Sequence, residues 1–275
     1  MACERFDFPT IPLLFDDRGT RLVLRIVGRV IVMRIFASVH MAKTAGSSFA
    51  QLLIDIASHQ FPVFFYYGTG HPLTGIWSAG ARLEAEGAES SDRLTEIFIQ
   101  QTERNGAGLV QAHWLVSEFL EIFGDTLDFI TWLRDPVQRI CSMYFFWKDS
   151  KFEPRRPEVR ELFWAVKSNR CSLLEFGTHP QIRDYYRNVL APLDLEAISF
   201  AGIFERQEVS LRCLSRVLGM TLPERLQLKN ITKRKQTPTY SLSKEVEEGI
   251  LAHNVADAAI YAAALARLDQ LDSET

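Results

Sequence analysis

The chain has 275 residues, enough for one large α/β domain or two small ones with a full core. Of these, 47% are apolar and 24% charged, and the formal net charge of −3 gives no case for nonspecific binding to nucleic acid: any polyanion must meet a local basic pocket. The four cysteines, Cys3, Cys141, Cys171 and Cys213, share no Cys-x-x-Cys spacing, which argues against zinc and a disulfide framework and fits a reducing compartment.

The apolar run Leu22 to Val32 carries Arg25 and Arg29 and is too short to cross a bilayer. Acidic Glu4, Asp7, Asp16 and Asp17 precede it, unlike a secretory signal. The protein is therefore expected to be cytoplasmic and without a membrane span. Ile35 to Val39 reads as a buried strand. A turn of small residues follows, Lys43-Thr44-Ala45-Gly46-Ser47-Ser48, and then Phe49, Leu52, Leu53 and Ile56 at helical spacing. The first amides of a helix have no internal partner and carry the positive end of its dipole, so this turn is a natural anion cradle. Lys43 adds a mobile charge, and Thr44, Ser47 and Ser48 add hydroxyls. The usual nucleoside-triphosphate loop needs Gly, four residues, then Gly-Lys-Ser/Thr; here Lys43 precedes Gly46, so the ligand is phosphate-like but held differently.

Pro62 to Tyr67 is the next expected strand, followed by a loop over 68–80 containing His71, a surface connection, and a helix from Asp92 to Arg104. Gly108 to His113 reads as a strand whose end puts His113 on the rim that holds Lys43, since ligands of open parallel sheets bind beyond the carboxyl ends of the strands. A helix over 116–124 closes at Gly124. Asp128 to Arg134 is a strand leading into Arg134-Asp135-Pro136-Val137-Gln138-Arg139-Ile140-Cys141-Ser142-Met143-Tyr144. Asp135 can cap a helix that Pro136 begins. Arg134, just ahead of it, can grip a phosphate with two parallel hydrogen bonds, and Ser142, two turns on, can donate to the same group. Further along come a basic, Pro-rich loop over 148–160, helices over 158–168 and 181–190, a strand from Phe200 to Glu205 and a helix over 211–218. A basic run with Lys229, Lys233, Arg234 and Lys235 follows, then one closing helix over 243–271 with Ile250, Val255 and Tyr261 facing inward. Strands alternating with helices predict an α/β fold: a three-layer, mostly parallel central sheet with helices on both faces and a P-loop-like nucleotide-binding architecture.

At His40-Met41-Ala42-Lys43-Thr44-Ala45-Gly46-Ser47-Ser48 and at Arg134-Asp135-Pro136-x-x-Arg139-x-x-Ser142-x-Tyr144 the chain resembles the sulfotransferases that use 3′-phosphoadenosine 5′-phosphosulfate (PAPS). The likeness is to the branch with a His-x-x-Lys-Thr-x-Gly-Thr/Ser-Ser loop, which includes carbohydrate sulfotransferases. Ala42 stands where that family usually has Pro, and Ala45 where it has Gly; the resemblance covers residues 34–265 and implies a single domain over 34–271, with residues 1–33 an N-terminal extension outside its core. It implies that the loop Lys43, Thr44, Ala45, Gly46, Ser47 and Ser48 holds the 5′-phosphosulfate, that Arg134 and Ser142 hold the 3′-phosphate, and that the basic segment around Arg234 folds over the nucleotide. It also makes Lys43 the residue that neutralises the leaving phosphate and His113 the general base.

The reaction so implied is an in-line, metal-independent transfer of sulfonate to an acceptor hydroxyl or amine of a carbohydrate or small molecule, with PAPS as co-substrate and no nucleic-acid partner. Two other classes fit parts of the pattern. A nucleotide or sugar kinase would want an acidic magnesium ligand at a strand end, where the nearest candidate, Asp135, belongs to the Arg-Asp-Pro turn. A catalytically silent nucleotide-binding module would keep the cradle without turnover.

Overall fold

The structure is a computed structural model and describes residues 14–15, 22–26, 29–67, 74–83, 91–125, 127–151, 153–154, 157–227 and 239–274. In chain order the first half comprises strands β1 (Leu14–Phe15), β2 (Leu22–Ile26) and β3 (Arg29–Val39), helix α1 (Gly46–Asp55), strands β4 (Val63–Tyr66), β5 (Gly75–Ser78) and β6 (Ala81–Arg82), helix α2 (Ser91–Asn105), strand β7 (Ala107–Ala112) and helix α3 (Val116–Phe123). Then come strand β8 (Leu127–Leu133), helices α4 (Pro136–Asp149), α5 (Arg160–Lys167), α6 (Leu173–Thr178) and α7 (Tyr185–Leu190), strand β9 (Phe200–Ile203), and helices α8 (Gln207–Leu218), α9 (Lys244–Ala252) and α10 (Val255–Ser273).

The apolar run Ile35 to Val39 is buried on both sides because it lies at the centre of the sheet. It pairs in parallel with β7 (Ile35 with Gly108 through Val39 with Ala112) and with β8 (Ile35 with Leu127 through Val39 with Thr131). Beyond these, β4 pairs in parallel with β7, and β9 with β8. The parallel core therefore runs β4-β7-β3-β8-β9, the second, third, first, fourth and fifth of its strands along the chain. After β3 the chain moves to one side of it; after β7 it crosses to the other. That reversal opens a crevice at the carboxyl end of β3, where ligands of such sheets bind. The first part of β3 pairs antiparallel with β2, and β2 with β1, so backbone from the stretch expected to be an extension continues the sheet.

Helices cover both faces, as expected. Phe49 of α1 packs on Trp132, with ring centroids 5.5 Å apart, and Phe119 of α3 packs on Phe129 at 6.1 Å. Residues 129 and 132 differ in parity along β8 and so point to opposite faces. A second cluster, with Ile140, Tyr144, Trp147, Phe163, Phe176 and Ile250, joins α4, α5, α6 and α9 beside the sheet.

Three local expectations change. The loop read over 68–80 contains β5, which turns into β6 and pairs antiparallel with β4, burying Ile76. The strand expected to reach Glu205 ends at Ile203. The single closing helix is two, α9 and α10, meeting at 95°. Asn254 explains the break. Its buried Nδ2 donates to the carbonyls of Gly177 (3.0 Å) and Ile250 (2.8 Å), and its Oδ1 accepts from the Asp184 amide (3.3 Å). The change of direction turns Val255 outward, 66% exposed, while Ile250 stays buried and Tyr261 half-buried.

Candidate functional site

Two turns, at the ends of neighbouring parallel strands, form the site. The first follows β3. Lys43 and Ala45 both take left-handed backbone conformations (φ 69° and 74°), which coil residues 41–46 into a tight loop ahead of α1. Thr44 is buried and its hydroxyl donates to the Met41 carbonyl at 2.9 Å, so it closes the turn. The Ala45 carbonyl accepts from the amides of Ser48 (2.9 Å) and Phe49 (3.0 Å). This leaves Gly46 and Ser47 as the leading amides of the helix, Ser47 on the exposed side and Ser48 buried. Gly46 is fixed by contact: a Cβ there would lie 1.5 Å from Nε2 of His40, whose ring fills the underside of the loop. A water-sized cavity below, lined by Ser38, His40, Thr44, Gly46, Gln111 and Trp132, is far too small for a nucleotide, so any such ligand meets the outer surface of the turn.

The second turn follows β8. Asp135 caps α4, accepting from the Gln138 amide at 2.9 Å, and Pro136 opens the helix, as the sequence indicates. Arg134, 5% exposed, points back to the first turn: its Nη1 lies 3.4 Å from the Lys43 carbonyl. The guanidinium also stacks over Phe204 at 4.8 Å. Its Nε sits 3.7 Å from the Glu205 carboxylate, beyond hydrogen-bond length, and so is a buried N–H with no hydrogen-bond acceptor among the described residues. Glu205 accepts in addition from the Asp135 amide (3.3 Å) and the Tyr261 hydroxyl (3.1 Å). Burial pushes its carboxyl upward against the pull of Arg134.

Lys43 rests with its Nζ over the ring of Phe146, 4.1 Å from the centroid. Burial first, and the Arg134 guanidinium second, push its ammonium down from an ordinary 10.5 to about 8. An anion placed beside these two cations would offset the penalty on the Lys43 ammonium.

At the end of β7, His113 faces outward while its Nδ1 lies 3.0 Å from the His40 carbonyl. A carbonyl can only accept, so Nδ1 carries the proton, and in the neutral ring Nε2 keeps its lone pair. The His40 ring stacks on His113 with centroids 3.9 Å apart, and its Nδ1 lies 3.1 Å from the Tyr67 hydroxyl. Burial, and then the neighbouring His113, hold His40 well below the usual histidine range, so His40 is neutral at pH 7.

The structure thus brings the loop of Lys43, Thr44, Ala45, Gly46, Ser47 and Ser48 beside Arg134, and puts His113 on the same rim through its bond to His40. Ser142 lies buried on α4, two turns after Arg134. Arg139 turns elsewhere, into a buried ion pair with Asp257 at 3.6 Å. Arg234, the basic run around it and His71 lie outside the described residues. Sequence reasoning did not single out Tyr67, Phe146 or Tyr185, whose hydroxyl accepts from the Ala42 amide at 3.1 Å. Only their aromatic character was readable.

No family model matches the chain, and no curated protein does. Among solved structures it is similar to a sulfotransferase from Alicyclobacillus acidocaldarius, with 16% identity, a TM-score of 0.42, and coverage of 84% of this chain and 96% of that one. It is also similar to mouse sulfotransferase SULT7A1 complexed with PAP, with 13% identity, a TM-score of 0.31, and coverage of 73% and 69% respectively. Likeness at this level assigns no residue and no reaction.

Proposed function

We propose that the protein is a sulfotransferase that takes the sulfonate of PAPS and passes it to a hydroxyl or amine of a carbohydrate or small molecule. The observation that carries this reading is the convergence of the two turns, where Arg134 Nη1 lies 3.4 Å from the Lys43 main-chain carbonyl, with a buried Arg134 N–H that has no acceptor among the described residues. A nucleotide bearing phosphate on both the 3′ and 5′ positions offers one anion to each turn. Arg134, with Ser142 behind it, takes the 3′-phosphate; Lys43 and the amides of Gly46 and Ser47 take the 5′ side.

In the transfer, the bond from sulfur to the 5′-phosphate oxygen breaks as a new bond forms from sulfur to the acceptor oxygen. Lys43 holds positive charge where negative charge grows on the departing phosphate. His113 Nε2 accepts the acceptor's proton, a contribution of about 10²–10⁴ in rate. Positioning and charge neutralisation by these side chains carry the chemistry, as in phosphoryl transfer.

The test is a ligand panel read by thermal shift and calorimetry. Adenosine 3′,5′-bisphosphate without metal is expected to stabilise the protein more than AMP, and Arg134→Ala is expected to weaken the bisphosphate much more than AMP. Preference for ATP with Mg²⁺, or equal losses for both ligands in the variant, refutes the proposal. Binding of the bisphosphate without turnover of PAPS on any acceptor class identifies a silent module instead.

A further inference from the structure

Two consecutive tyrosines at the start of α7 reach the two turns of the site separately. Tyr185 Oη accepts from the Ala42 amide at 3.1 Å, one residue before Lys43. Tyr186 Oη accepts from the Arg134 amide at 3.0 Å and donates to the Arg134 carbonyl at 2.6 Å. Both hydroxyls therefore hold backbone, and neither binds a cationic head. Their own footing is firm. Asp257 of α10 accepts from the amides of Tyr186 (2.8 Å) and Arg187 (3.4 Å), and Asn254 accepts from that of Asp184 (3.3 Å). Arg139, paired with Asp257, lies over both rings at 4.6 and 5.3 Å. Tyr186 is fully buried.

We propose that Tyr185 and Tyr186 are positioning residues that set the spacing between the Lys43 loop and the Arg134 turn, and so the fit of a ligand with two phosphates. This rests on the donor reading above. The two loops follow different strands and, among the described residues, meet where Arg134 Nη1 lies 3.4 Å from the Lys43 carbonyl, so an anion spanning them is recognised well only if their separation is fixed in advance. A rigid α7 with one hydroxyl on each loop fixes it. A ligand with a single phosphate uses one loop at a time and is indifferent to the spacing.

The experiment measures binding of adenosine 3′,5′-bisphosphate, 5′-AMP and 3′-AMP to the full chain and to Tyr185→Phe and Tyr186→Phe, with amide hydrogen exchange on the ligand-free proteins. Removing one hydroxyl is expected to weaken the bisphosphate by roughly three- to tenfold while each monophosphate changes by less than about twofold. Equal losses for all three ligands, as a general softening would give, overturn the proposal. So does a loss shared by the bisphosphate and one monophosphate, which marks a direct ligand contact. Faster exchange is expected at the Ala42 amide in Tyr185→Phe and at the Arg134 amide in Tyr186→Phe; unchanged exchange at those amides overturns the brace whatever the ligand. If instead the wild type shows no preference for the bisphosphate while the exchange effects appear, the donor reading fails and the backbone brace stands.

Discussion

The depressed ammonium of Lys43 makes a quantitative demand on ligand binding. A fall from 10.5 to about 8 corresponds to about 3 kcal/mol against the charged form, and since Lys43 keeps some contact with solvent, about 1–2 kcal/mol is the working figure. An anion placed between Lys43 and Arg134 offsets the repulsion and favours the protonated amine, so binding must take up a proton once the free protein has lost it. The phosphates are fully ionised above about pH 7, their second pKa being about 6, and so do not titrate in this range. The affinity for adenosine 3′,5′-bisphosphate should therefore be level from pH 7 to 8 and fall by up to about tenfold per pH unit above 8. Calorimetry in buffers of different ionisation heat should register proton uptake at pH 9. In the free protein the sign is reversed. The folded pKa lies below the unfolded one, so the unfolded chain binds more protons between about 8 and 10.5, and Lys43's penalty, fully present below 8, is relieved as pH rises. Lys43→Met should accordingly abolish transfer, raise stability at pH 7 by about 1–2 kcal/mol and flatten the affinity profile. A flat wild-type profile from pH 7 to 9.5, or the same slope in Lys43→Met, refutes the reasoning.

Two further variants probe the loop. Ala45→Gly relieves a left-handed alanine and should stabilise the protein by up to about 1 kcal/mol in urea denaturation, without loss of bisphosphate affinity. Gly46→Ala drives a methyl into the His40 ring and should cost about 1–3 kcal/mol, with binding lost; pairing it with His40→Ala should recover part of both, and additive losses would refute the contact.

The two turns were legible as helix starts because their chemistry is local: a cap at Asp135, Pro136 beside it, and small residues around Lys43 say where helices begin. The central sheet was legible for the same reason, since β3, β7 and β8 are short apolar runs at the expected places. Other features depend on partners far along the chain. Nothing between Ser243 and Leu271 marks a break, because Asn254 ends α9 by bonding to Gly177 and Asp184. Tyr185 and Tyr186 look like core aromatics until Ala42 and Arg134 are brought to them. His40 was visible within the loop motif, but its stacking on His113 needs β3 and β7 side by side. Arg139 was visible as a position of the Arg-Asp-Pro motif, and only the fold shows it committed to Asp257.

That commitment has a consequence for how the domain answers its ligand. Asp257 is over 120 residues from Arg134, and the Tyr186 and Arg139 contacts behind the Arg134 turn reach it only when α10 has docked on α4 and α7. A ligand held at that turn would therefore favour the docked arrangement, and its binding would reinforce the cooperative unit as a whole.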